Sequence, residues 1–237
     1  MGALRERFTL GVVAVRALIF DFDGLIVDTE SASMTAWEGV LAGYGLAMPH
    51  ALWRSVVGGR SSRATILAHL EQHIGPFDPE PVVRRWTEAN RVLVAAQPLR
   101  AGVADYLRAG AAAGLRLGVA SSAGGEWVAS QLRRVGVRHY FEVLATCDGR
   151  WPAKPAPDVY LAALRTLQVA AAEAIAFEDS PNGVYAAKAA GLYCVAVPNS
   201  VTEPLSFAAA DLVLPSMAAM PLSNLLQTAA KRDISRS

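Results

Sequence analysis

Two carboxylates stand one residue apart in Leu18-Ile19-Phe20-Asp21-Phe22-Asp23-Gly24, where an apolar run gives way to a glycine turn. Side chains alternate faces along a strand, so Asp21 and Asp23 are expected on one side of its end. Two acids that close repel, and burying them is costly unless a cation or a shared proton joins them. Alone, the pair fits a strand-end turn holding a structural cation as well as it fits chemistry. Three further clusters decide for chemistry. Ser121 and Ser122 close the apolar run 115–120, Lys154 sits in Ala153-Lys154-Pro155-Ala156-Pro157-Asp158, and Glu178-Asp179 closes 174–177. Each is read as the carboxyl end of a strand, where open parallel sheets gather their ligands. Four carboxylates converging on one lysine are unbalanced without a divalent cation, and oxygen ligands with neither His nor Cys favour Mg²⁺. Open positions on such an ion suit a phosphate, which the hydroxyls and the lysine would also hold. The pattern points to metal-assisted phosphoryl transfer.

The elements that must position these residues are legible too. Residues 102–113 read as a helix stopped by Gly114, followed by the strand that ends at Ser121-Ser122. Ser180-Pro181-Asn182-Gly183 opens another helix, with serine at the N-cap and proline in the first turn, and Gly191 closes it. Residues 174–177 and 194–197 flank that helix as buried strands, and 212–214 is a shorter third. This alternation predicts an α/β fold, a Rossmann-like doubly wound parallel sheet with helices on both faces. Residues 32 to about 98 break the rhythm with four helical patterns, near 32–44, 51–57, 62–73 and 81–95, and no strand between them. A helical-bundle insert is the economical reading, with a turn at Gly75-Pro76-Phe77-Asp78-Pro79 and a return linker at Gln97-Pro98. The core domain would then comprise 1–31 and 99–237, and the inserted cap domain 32–98.

Composition bounds the rest. The chain has 237 residues, 53% of them hydrophobic, and a net charge of +1, as expected of a folded domain with no affinity for nucleic acid. No apolar run reaches membrane-spanning length. Arg5 and Arg7 before the apolar stretch 8–15 imitate a signal peptide, but the stretch is short and Arg16 interrupts it. Two cysteines, Cys147 and Cys194, in or near apolar strand-like stretches fit a reduced, cytoplasmic setting better than a disulfide framework. A monomer is expected.

The four clusters, in order, resemble the four motifs of the haloacid dehalogenase superfamily. Asp21-Phe22-Asp23-Gly24-Leu25-Ile26-Val27-Asp28-Thr29-Glu30, Ala120-Ser121-Ser122, Lys154-Pro155-Ala156-Pro157-Asp158 and Phe177-Glu178-Asp179-Ser180-Pro181-Asn182-Gly183 carry the likeness, which spans residues 17 to about 214. The branch it resembles most holds phosphatases and β-phosphoglucomutase-like enzymes with a helical cap between motifs one and two. The resemblance implies that Asp21 is the nucleophile, forming an aspartyl-phosphate, and Asp23 the general acid and base. It implies that Asp21, the Asp23 backbone carbonyl and Asp179 hold Mg²⁺, with Glu178 ligating directly or through water, and that Ser121, Ser122 and Lys154 bind the phosphoryl group. The expected activity is hydrolysis of small organic phosphate monoesters, sugar phosphates foremost. A phosphosugar mutase is the alternative. It is disfavoured because Ala123-Gly124-Gly125 stands where mutases grip a second phosphate and Ser33 where they carry a histidine. A non-catalytic binding protein is a further alternative, and so is a receiver-type phosphoacceptor, which would need neither Asp23 nor a cap.

In the insert, Val56-Val57-Gly58-Gly59-Arg60-Ser61 lies where related caps place a substrate loop, so Arg60 or Arg63 could meet a sugar hydroxyl; a solvated arginine fits as well. Trp37, Trp53 and Trp86 read as insert core. His50, His69, His73 and His139 show no ligand spacing, and Asp28 and Glu30 read as structural.

Overall fold

The computed structural model describes residues 9–10, 13–49, 51–53 and 62–233. Its centre is a six-stranded parallel sheet. The strands are β3 (Ala17–Phe20), β4 (Arg116–Ser121), β5 (Val143–Thr146), β6 (Ala174–Glu178), β7 (Tyr193–Ala196) and β8 (Leu212–Val213), ordered β5-β4-β3-β6-β7-β8. β1 (Thr9–Leu10) and β2 (Val13–Ala14) form a short antiparallel hairpin ahead of β3. That hairpin was not expected from the sequence, because two-residue strands carry too short a pattern to register.

Fully parallel strands need both faces covered, and the two faces divide by residue parity. Leu18 and Phe20 of β3 join Ile175 and Phe177 of β6 in one apolar cluster, while Ala17, Ile19, Ala174 and Ala176 point into another. The first is covered by α4 (Val103–Ala112), α5 (Gly125–Arg134) and α8 (Leu222–Asp233), through residues such as Leu107, Leu132 and Leu225. The second is covered by α6 (Asp158–Leu167) and α7 (Pro181–Ala189), whose Tyr160, Leu167, Ala186 and Ala187 are fully buried. Two small faces at Ala174 and Ala176 let α6 and α7 approach closely.

Between β3 and α4 lie α1 (Thr29–Ala42), residues 51–53 in helical conformation, α2 (Ser62–Ile74) and α3 (Pro79–Ala95), with no strand among the described residues. α1 begins three residues earlier than its apolar pattern, because the Asp28 carboxylate accepts from Ser31 N at 3.0 Å and caps it. Asp28 is thus structural, as expected. These helices pack on their own cluster, built on Trp37, Val40, Leu41, Trp53, Ile66 and Leu70, with Trp86 stacked 5.2 Å from Trp37. Val201 and Leu205, from the loop after β7, also enter that cluster. Gly75-Pro76 forms the expected turn, and α3 is capped by Asp78 with Pro79 in its first turn. The return passes through Leu99, which bridges Val27.

β5 is one of the sheet's two edge strands, and its placement changes one expectation. Lys154 does not end a strand: β5 stops at Thr146, and Lys154 comes eight residues on, in a loop with a cis Lys154–Pro155 peptide. Three apolar residues and a threonine at a sheet edge leave a weak sequence signal, weaker than that of the loop motif that follows.

Candidate active site

Register brings the acids together. Phe20 pairs with Phe177, so the next residues along β3 and β6, Asp21 and Glu178, arrive at the same level, and Asp21 N donates to Phe177 O at 2.9 Å. Phe20 also pairs with Val119, which places Ala120 O and Ser121 alongside. Lys154 reaches into this gap. Its ammonium pairs with Asp21 Oδ1, donates to Glu178 Oε1 at 2.7 Å and to Ala120 O at 2.8 Å, and its side chain is only 4% exposed. Its backbone N–H donates to Ser122 Oγ at 3.1 Å. Ser122 therefore anchors the Lys154 loop, while Ser121 is the hydroxyl nearer the acids.

Asp21, Glu178 and Asp179 each offer an oxygen, all within 4.8 Å of one another, a group able to hold a metal ion. The donor set fits a hard cation: three carboxylates, all buried, and Glu178 Oε2 lacks a hydrogen-bond partner. Glycines make room for it. Gly24 adopts φ +78°, and a Cβ there would collide with the Asp179 carboxylate. A Cβ on Gly183, in the first turn of α7, would fall on the Glu178 carboxyl group.

Although β3 ends at Phe20, Asp23 stays near enough to Asp21 to feel its charge, and the two carboxylates find different partners. Asp23 Oδ1 accepts from Trp127 Nε1 at 3.2 Å and Oδ2 from Ser121 Oγ at 3.4 Å.

The electrostatics follow from burying so much negative charge. Burial raises Asp21, opposed by Lys154. Burial, then the charge of Asp21, pushes Asp23 up to about 6. Glu178 is pushed up to about 7 by burial, against the pull of Lys154, and Asp179 stands well above the usual carboxylate range through burial and the charges of Asp21 and Glu178. Burial works to lower Lys154, but the adjoining Asp21 and Glu178 carboxylates outweigh it and hold it charged. One cation is shared among acids that a second cation would relieve.

Four participants escaped the sequence reading. Tyr160 donates to Glu178 Oε1 at 2.6 Å from α6, six residues after Lys154. Asn199 Nδ2 donates to Asp179 Oδ2 at 2.7 Å, while its Oδ1 accepts from Val201 N and Thr202 N. The Arg100 guanidinium donates to the carbonyls of Gly24, Val197 and Pro198, tying the glycine turn to the loop after β7. Trp127 is the fourth. Asn199 was within reach of sequence logic, since it follows β7 at the carboxyl edge of the sheet; the others carry no local signal. A cavity of about 750 Å³ opens beside Asn199, between Arg100, Leu205, Phe207 and Val213. None of Asp21, Asp23, Glu178 and Asp179 lines it, so it is not the reaction centre.

Arg60 and His50 lie outside the described residues. Arg63 sits 5.0 Å over the Trp86 ring, a cation–π contact. His73 Nδ1 contacts the His69 carbonyl at 2.8 Å, and His139 is exposed, so these three do not converge on the acids.

Residues 18–197 match the family model of haloacid dehalogenase-like hydrolases. YhcW of Bacillus subtilis is 40% identical over 213 residues, covering 90% of this chain and 96% of that protein. The fructose-1-phosphate phosphatase YqaB of Escherichia coli is 33% identical over 184 residues, covering 76% and 95%. A crystal structure of a CbbY mutant from Rhodobacter sphaeroides in complex with xylulose-1,5-bisphosphate superposes with a TM-score of 0.71 at 32% identity, covering 89% and 99%. The chain belongs to the haloacid dehalogenase-like hydrolase family. Within that family it stands in the capped phosphatase branch, as a phosphomonoester hydrolase.

Proposed function

We propose that the chain hydrolyses small sugar phosphate monoesters through an aspartyl-phosphate on Asp21, with residues 32–98 as a cap domain over a core of 1–31 and 99–237. The observation that carries this reading is the buried Asp21–Glu178–Asp179 group at the carboxyl edge of the sheet, with the Lys154 ammonium paired to Asp21 and Glu178. A fructose-1-phosphate phosphatase and a xylulose-1,5-bisphosphate complex among the relatives support the substrate class.

Asp21, Asp179 and the Asp23 carbonyl would hold Mg²⁺, with Glu178 beside them; when bound, the ion neutralises charge on the phosphoryl oxygens and on Asp21. An Asp21 oxygen forms the new bond to phosphorus as the ester P–O bond breaks. Asp23 passes its proton to the departing sugar oxygen and is left as a carboxylate, ready to take a proton from the water that cleaves the aspartyl-phosphate. Lys154 and the Ser121 hydroxyl bind phosphoryl oxygens, and Ser122 holds the Lys154 loop. Closure of the cap would exclude bulk water and select the sugar, with Arg60 among its candidate contacts.

Two measurements test it. Asp21→Asn should abolish turnover of fructose 1-phosphate; wild-type rates in the mutant would refute the nucleophile assignment. Incubation with β-glucose 1-phosphate and a bisphosphate primer should release inorganic phosphate, whereas glucose 6-phosphate as product would make the chain a mutase.

A further inference from the structure

Asp23 is a proton carrier only if its carboxyl group is aimed. Beyond the end of β3 its backbone is fixed by a bridge to Val27, and the rotamer of its carboxyl group is left to side-chain partners. Its two oxygens have two donors of different kinds. Oδ2 takes the Ser121 hydroxyl at 3.4 Å, and Oδ1 takes the Trp127 indole N–H at 3.2 Å. The Ser121 hydroxyl is a rotor that also accepts from Ala123 N at 3.0 Å, and it is free to turn its hydrogen to a phosphoryl oxygen. The indole N–H is a donor only, fixed in direction by the ring, and it cannot accept a proton under any circumstance. When Ser121 turns to substrate, Trp127 is the donor of fixed direction left on Asp23, beside the rotatable Thr29 hydroxyl.

The ring is itself held. Trp127 lies in the first turn of α5 and packs against the cluster formed by α4, α8 and the sheet. The start of α5 is pinned from the neighbouring strand: Gly125 N donates to Asp148 Oδ1 at 2.7 Å, and Thr146 Oγ1, at the end of β5, donates to Asp148 Oδ2 at 2.6 Å. A chain of contacts thus runs from the sheet edge through Asp148 and α5 to the carboxyl group of Asp23.

We infer that Trp127 is the positioning residue of the proton shuttle: its N–H engages Asp23 Oδ1 as a standing acceptor, so that the transferable proton is carried on Oδ2, the oxygen beside Ser121. This rests on the proposed phosphatase reaction, in which Asp23 protonates the leaving oxygen. Trp127 acts through Asp23, and so is a positioning residue rather than a catalytic one. Its work is needed only where the leaving group needs a proton.

That selectivity is the test. Trp127→Phe keeps the ring and removes the N–H. With fructose 1-phosphate, whose alkoxide is a poor leaving group, kcat should fall about tenfold, the scale of one well-placed hydrogen bond, with KM within about twofold. With p-nitrophenyl phosphate and enzyme in excess, the single-turnover release of p-nitrophenolate should stay within about twofold of wild type, because that anion departs unprotonated. Equal losses on both esters would mean a general disturbance of the phosphate site, and no loss on either would mean that Asp23 needs no such donor; each result overturns the inference. Retained p-nitrophenolate release also certifies that the variant is folded. Asp23→Ala serves as the control for the underlying reaction: if it lacks the same leaving-group dependence, the shuttle assignment fails rather than the role of Trp127.

Discussion

Tyr160 and Lys154 converge on a single oxygen, Oε1 of Glu178, the hydroxyl at 2.6 Å and the ammonium at 2.7 Å. The other oxygen, Oε2, is buried without a hydrogen-bond partner. In the proposed metal site, Tyr160 thereby leaves Glu178 an oxygen for the cation. Tyr160→Phe should weaken Mg²⁺ activation by about tenfold in half-saturating concentration, as loss of an outer-shell contact does, with kcat at saturating Mg²⁺ little changed. A titration of activity against Mg²⁺ measures both.

Lys154 neutralises two buried carboxylates, Asp21 and Glu178, whose side chains are 9% and 0% exposed. Lys154→Ala leaves both without their cation, and breaking such a buried arrangement costs about 3–5 kcal/mol. Urea denaturation in chelator should show that loss, and Mg²⁺ should return part of it. Unchanged stability would mean that Asp21 and Glu178 do not depend on Lys154.

Raised carboxyl groups give the metal-free protein an inverted pH profile. Glu178 titrates near 7 when folded against an ordinary 4.5, and Asp21 and Asp179 are raised as well. Between those limits the folded state binds more protons than the unfolded one, so stability is full below about pH 4.5 and falls as pH rises through about 7. In chelator the melting temperature should be lower at pH 8 than at pH 5.5 by roughly 5 °C, given about 2–4 °C per kcal/mol for a chain of this size. Mg²⁺ should stabilise most at pH 8, where the acids are free to bind it. A melting temperature that climbs from pH 5.5 to 8 in chelator would contradict the charge assignments.

Asn199→Ala removes the donor to Asp179 Oδ2 and the acceptor for two backbone N–H groups. Mg²⁺ affinity should drop about 10- to 100-fold. Asn199→Asp keeps the acceptor for the backbone but sets a carboxylate against Asp179, and it should be no better. Isothermal titration with Mg²⁺ alone distinguishes this from an effect on substrate binding.

The sheet and its acid edge were legible because they are local. Alternating apolar strands ending in Asp21, Ser121 and Glu178 declare themselves within a few residues, and Ser180-Pro181 announces its helix as observed. Lys154 was legible as a participant but not in its place, since its position is fixed by a loop that Ser122 anchors rather than by a strand. Trp127 and Tyr160 were invisible for a different reason. Each sits on an amphipathic helix where an aromatic residue reads as core, and only the packing of α5 and α6 on opposite faces turns their polar atoms toward Asp23 and Glu178.

The stretch 199–205 begins with the residue that grips Asp179 and continues through Val201 and Leu205, which are packed among Trp37, Trp53 and Leu70 of the helical insert. Core and insert therefore cannot be exchanged as independent parts. A chimera that grafts residues 32–98 of a relative onto this core would present foreign side chains to Val201 and Leu205, and the misfit would be felt at the carboxylate of Asp179. On the proposed reading, in which residues 32–98 select the sugar and Asp179 holds the cation, transplanting a new substrate preference requires moving this seven-residue stretch along with the insert.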